Sequence, residues 1–85
     1  MAKSKRELAF ARLRFMDPGW HTGVIPVAGE GGWAVCARRN DRYTGRTLYG
    51  QVFATYTHRL RAEHLSDELN AEHQRRMVLR CQAMT

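Results

Sequence analysis

Apolar positions recur at helical spacing near both ends of the chain and alternate in the middle. Leu8, Ala11 and Phe15 fall at i, i+3 and i+7, and Phe10 and Leu13 widen that stripe, which predicts a helix over residues 5–16. Ser4 stands at its N-cap, with Glu7 at the capping-box position three residues on. Asp17-Pro18-Gly19 ends it, because proline disfavours the helical conformation in the residue before it. His21 to Val27 is rich in β-branched residues, and Gly29-Glu30-Gly31-Gly32 offers a turn. Trp33, Val35 and Ala37 then alternate with Ala34, Cys36 and Arg38, as a half-buried strand requires. Pro26 lacks an amide hydrogen, which puts the first strand at a sheet edge or bulges it there. Asn40-Asp41 ends the second strand.

Residues 42–57 satisfy two readings. Tyr49, Val52, Phe53, Tyr56 and Leu60 lie at i, i+3, i+4, i+7 and i+11, a full helical stripe. Thr47, Tyr49, Val52, Phe53, Thr55, Tyr56 and Thr57 favour strand, and Gly50 weakens a helix by ~1 kcal/mol. Periodicity outranks propensity, so the first expectation is helix and the alternative a third strand. Ser66 fits the cap of the final helix, with Asp67 and Glu68 in its first turn, or else it sits inside one long helix, so one or two C-terminal helices are expected. Leu65, Leu69, His73, Met77 and Cys81 run down one face of it, and Glu72 can pair with Arg76. The expected class is α+β in one domain over 1–85, with ends at 1–4 and 84–85 frayed. The order is α-β-β-α-α, or α-β-β-β-α if residues 42–57 include a strand.

Size and charge narrow the function. A chain of 85 residues buries a modest fraction of its surface. Its 44% hydrophobic and 26% charged content is ordinary for a folded domain. No apolar run approaches the ~20 residues of a membrane span, and MAKSKRELAF does not continue as a secretory signal, so a cytoplasmic protein is expected. Cys36 and Cys81 are then expected as free thiols packed as small hydrophobes. A net charge of +6 favours nucleic acid or an acidic protein surface. Of the 14 basic residues only Lys3 and Lys5 are lysine. Arginine's planar fork suits bidentate phosphate contacts and stacking on bases, although a GC-rich gene gives the same bias.

The residues expected to carry function follow. Arg38, Arg39, Arg42 and Arg46 surround Tyr43, and Arg59 and Arg61 extend the basic track. Guanidinium groups hold phosphates while an aromatic ring between them stacks on a base. Thr44-Gly45-Arg46-Thr47 could also open a helix whose free amides bind an anion. Packing of the tyrosines in the core, with the arginines as a solvated rim, explains the same residues without a ligand. No familiar nucleic-acid-reading motif is present. His58, His64 and His73 match no metal-ligand spacing with the cysteines, so no metal and no cofactor is expected. No phosphate loop or nucleophile elbow appears, so no catalytic residue is assigned and the protein is expected not to be an enzyme. The expected partner is RNA, DNA or a complex that handles them. The alternative is a compact adaptor or inhibitor, of mobile-element type, that docks on a protein. Surplus apolar side chains on the C-terminal helix, Met77, Val78, Leu79, Cys81 and Met84, also allow a homodimer.

Overall fold

The computed structural model describes residues 4–29 and 31–83. Helix α1 (Lys5–Arg12) tightens into a 3-10 turn (Leu13–Phe15), followed by strands β1 (His21–Pro26), β2 (Trp33–Asn40) and β3 (Thr47–Tyr56) and helix α2 (Arg59–Ala83). The class is α+β, and of the two orders the structure has α-β-β-β-α: residues 47–56 are strand, not helix. The three strands are antiparallel in the order β1-β2-β3. Of the ends expected to fray, 1–3 and 84–85 lie outside the described residues, as does Glu30, whereas Ser4 is ordered as the cap of α1.

Local chemistry accounts for most boundaries. The Ser4 hydroxyl accepts from the Glu7 amide at 3.2 Å and caps α1. The helix ends a turn earlier than its stripe suggested, and the Trp20 amide closes the Asp17-Pro18-Gly19 turn on the Asp17 carbonyl. Gly19 there has φ of +90°, a conformation costly for side-chain-bearing residues.

Strand β3 carries the irregularity that shapes the sheet. Its 10 residues lie against the 8 of β2. Val35 pairs with Ala54 but Cys36 pairs with Val52, so Phe53 is an inserted residue. Arg38 then pairs with Tyr49, leaving Gly50 and Gln51 opposite Ala37. Two bulges therefore fall within five residues. Spacing of 3, 1 and 3 along Tyr49, Val52, Phe53 and Tyr56 is what a doubly bulged strand produces, and it imitates a helical stripe.

The core is a layer between the two helices and one sheet face. Ala9, Leu13 and Met16 meet Val35, Ala37, Phe53 and Ala54 from the sheet and Ala62, Leu65 and Leu69 from α2. Phe53 is the largest of the fully buried side chains. Cross-strand partners share a face, so Thr22, Val24, Val35 and Ala37 face the helices. His21, Gly23, Ile25, Ala34, Cys36 and Arg38 face the other way.

Both sheet edges are closed by helical side chains. On β1, the Asn70 carboxamide accepts from the Thr22 amide at 2.7 Å and donates to its carbonyl at 3.1 Å, as a neighbouring strand would. The Thr22 hydroxyl donates to the Ser66 carbonyl at 3.0 Å and lies 2.7 Å from the Ser66 hydroxyl. On β3, Lys5 Nζ donates to Thr55 O at 2.8 Å and Arg12 Nη1 to Phe53 O at 3.1 Å. Exposed edges invite pairing with another chain, and these contacts block that. Ser66 thus sits buried inside α2 and does not begin it; the helix starts at Arg59 and its first turn holds no acid. At ~1.5 Å per residue α2 is ~37 Å long. Leu65, Leu69 and His73 are buried, whereas Val78, Leu79 and Cys81 are exposed, so the helix overhangs the sheet.

Two predictions follow from this packing. Asn70→Ala leaves the Thr22 amide and carbonyl without partners and should cost about 1–3 kcal/mol in urea unfolding; a loss below about 0.5 kcal/mol contradicts the clasp. His73 is buried and its Nε2 has no hydrogen-bond partner. Burial lowers its pKa below 6.5, opposed by the Asp17 backbone and helped by the Arg76 and Arg80 charges. The unfolded chain then binds the proton better. His73 stabilises fully above pH about 6.5 and loses that contribution as pH falls below it. The urea midpoint should drop between pH 7.5 and 5.5, and drop less in His73→Leu; equal drops contradict this.

Candidate polyanion-binding surface

The β2–β3 turn is built on Asp41. Its carboxylate accepts from the Tyr43 amide at 3.0 Å and the Thr44 hydroxyl at 2.9 Å, and its carbonyl accepts from the Gly45 amide at 2.9 Å. These bonds hold its pKa below the usual carboxylate value. Gly45 closes the turn with φ of +69°. The carboxylate nearest the hairpin arginines is therefore occupied by turn backbone and hydroxyl. Thr44 to Thr47 form this turn and the start of β3, so the expected helix N-terminus with free amides is absent here.

The turn presents Arg42, Tyr43 and Arg46 to solvent. Tyr43 is 99% exposed, which excludes it from the core. Tyr49 is also exposed, and Tyr56 is partly buried against the core. Arg38 and Arg39 stand behind the turn on opposite sheet faces, as adjacent strand residues must. Arg38 lies across Gly23, where a Cβ would come within 2.7 Å of its Cδ, and its Nε donates to His21 Nε2 at 2.9 Å. Arg39 stacks on Trp20, with the guanidinium carbon 5.4 Å from the ring centroid.

Arg59 and Arg61 follow the far end of β3, ~30 Å of strand from the turn at ~3.3 Å per residue. Arg59 nevertheless lines one cleft with Arg38, and Glu63 and Asp67 of α2 line it too. Arg59 stacks over Trp33 and pairs with Glu63 at 2.8 Å. Arg61 lines a cleft with Arg6, Tyr56, Leu60 and Glu68.

The sequence reading missed two residues and recast a third. Phe15 was placed on the buried stripe, but the 3-10 turn rotates it outward, and it is 64% exposed. Arg14 stacks over it at 4.7 Å. Trp20 sits at this same end, against Gly50 and Ala37. The adjacent Arg14-Phe15 and the turn before Trp20 were visible, but their meeting depends on tertiary packing.

The ion pairs show where charge is neutralised. Arg6 pairs with Glu68, Arg59 with Glu63, and both Arg75 and Arg76 with Glu72. The two arginines hold the Glu72 pKa down to about 2. Every one of these pairs lies on the helices. Among the described residues, Arg14, Arg38, Arg39, Arg42 and Arg46 form no ion pair, and neither do Arg12, Arg61 and Arg80 on the helices. The hairpin sets Arg38, Arg39, Arg42 and Arg46 against the single charge of Asp41, which acts on Arg39, so this end keeps a positive excess.

Other chemistry finds less support. Among the described residues no three His, Cys, Asp or Glu side chains come together as a metal site. Cys36 is buried, which pushes its thiol pKa up, while Cys81 is exposed rather than packed as expected. No helix among the described residues is long and apolar enough to cross a membrane. No family model, curated protein or solved structure matches this chain.

Proposed function

We propose that this protein is a non-enzymatic, cytoplasmic nucleic-acid-binding protein that uses the hairpin end of its sheet, acting on nucleic acid or on a complex that handles it. One observation carries the reading: Arg38, Arg39, Arg42 and Arg46, none of them in an ion pair, stand together on the β2–β3 hairpin with the exposed ring of Tyr43, while the ion pairs among the described residues lie on the helices. Arg42 and Arg46 contact phosphates from the turn, and Arg14 and Arg39 contact them from behind it. Tyr43 offers a free ring on which a base stacks. Such stacking tolerates any base and suits single strands.

Binding of this kind releases counterions, so affinity falls steeply with salt. Fluorescence anisotropy with single-stranded RNA and DNA over 50–200 mM salt tests it. Replacing Arg42 and Arg46 together by Ser should weaken binding and lower the log–log salt slope by roughly 1–2. Replacing Arg59 and Arg61 should leave the slope unchanged. Absence of binding at low salt, or equal loss from the two pairs, contradicts the proposal.

A second reading, protein docking, rests on the α2 overhang. Pro18, Trp20, His73, Met77, Val78 and Cys81 line a groove of about 680 Å³ beside it. Acids occupy α2 from Glu63 to Glu72 and arginines from Arg75 to Arg80. Antiparallel apposition of α2 from a second copy sets unlike charges against each other and covers the apolar groove. Sedimentation at rising concentration should then show twice the 9.8 kDa chain mass, lost in Val78→Asp. A monomer at all concentrations contradicts this docking mode.

A further inference from the structure

We infer that a pocket between Phe15 and Trp20 receives one unpaired nucleobase, with guanine preferred. The inference rests on the nucleic-acid reading above and adds to it a site that reads the base. The pocket holds about 180 Å³. An apolar cavity of ~150 Å³ takes up benzene, so a volume of this order admits one planar ring system. Phe15, Trp20 and Phe53 give it apolar and aromatic walls, and Asp17 and Gln51 bring polar groups to it.

Three features of the walls favour a base over another apolar group. First, Arg14 stacks on Phe15 and Arg39 on Trp20, so each aromatic wall carries at its rim a cation that forms no ion pair among the described residues. A base inside the pocket brings its own phosphates to that rim, where these cations meet them. Second, Gly50 is what keeps Trp20 against the strand. A Cβ there would lie 3.2 Å from Trp20 Cζ3, and 3.5 Å from Ala37 Cβ. The second bulge of β3 places this glycine opposite Ala37, so the strand irregularity shapes the pocket floor. Third, Asp17 lines the pocket, and a carboxylate accepts hydrogen bonds and cannot donate when ionised. Two adjacent donors, N1–H and the exocyclic amino group, stand together on the Watson–Crick edge of guanine. Uracil offers one donor between two acceptors, which a carboxylate repels. The Gln51 carboxamide can donate to the guanine carbonyl.

The test uses the whole protein and fluorescein-labelled decanucleotides of single-stranded RNA. One has a central guanosine in a uridine background, one is uridine throughout, and one has a central abasic residue. Wild type should bind the guanosine strand roughly 5- to 100-fold more tightly than the abasic one, the range of base–aromatic stacking. Phe15→Ala, at a largely exposed position that the core does not need, should remove most of that difference. Asp17→Asn should erase the guanosine preference over uridine and leave uridine binding in place. In a Trp33→Phe background, Trp20 fluorescence should change on binding. Equal affinity for guanosine and abasic strands, with binding itself retained, overturns the pocket and leaves the phosphate surface standing. An unchanged Trp20 signal while anisotropy rises overturns it too. Failure of every strand to bind at low salt overturns both the pocket and the surface.

Discussion

The doubled bulge in β3 is the constraint on which the rest depends. One inserted residue turns Phe53 into the core, where it meets both helices. The other sets Gly50 beneath Trp20. A regular strand through these positions would send alternate residues to opposite faces and could not bury Phe53 and Ala54 together. Core and candidate site are thus linked through one strand, since the same irregularity fills one and floors the other.

The distribution of polar contacts then decides which parts of the surface remain available. Asn70 completes the β1 edge, and Lys5 and Arg12 cover carbonyls of β3. Glu63, Glu68 and Glu72 engage helical arginines. Asp41 is absorbed by its own turn. What is left is an end with guanidinium groups facing solvent beside Tyr43, Phe15 and Trp20. Surface ion pairs of this sort add little to stability, roughly 0–1 kcal/mol each. Their larger consequence here is electrostatic, because the acids they engage on the helices are not paired with the hairpin arginines.

Much of this was legible in the residues. The Ser4 cap, the Asp17-Pro18-Gly19 stop, the edge position of the Pro26 strand and the Asn40-Asp41 turn all follow from local chemistry that tertiary packing does not override. Two elements were not legible for identifiable reasons. Bulges break the period of two, so β3 displayed a helix-like stripe although its threonines and aromatics favoured strand. Ser66 has the residue type of a cap but serves as a buried partner of Thr22, a contact across 44 positions that no local window contains. The candidate site divides in the same way. Arg42, Tyr43 and Arg46 were found because they are contiguous. Arg59 and Arg61 lie beyond the turn by the length of β3, yet Arg59 shares a cleft with Arg38, a proximity that sequence distance does not reveal. Phe15 was assigned inward because a helical period was extended through a 3-10 turn.

The central claim is that the hairpin end, and no other part of the surface, meets nucleic acid. Titrating single-stranded RNA into ¹⁵N-labelled protein and following amide and indole resonances tests it most directly. The account predicts shifts at Arg39 to Arg46, at Phe15 and Asp17, and at the Trp20 indole, with the Trp33 indole and the α2 overhang unmoved. Shifts centred on Arg59 and Arg61 or on Met77 to Cys81, or none at low salt, would contradict it.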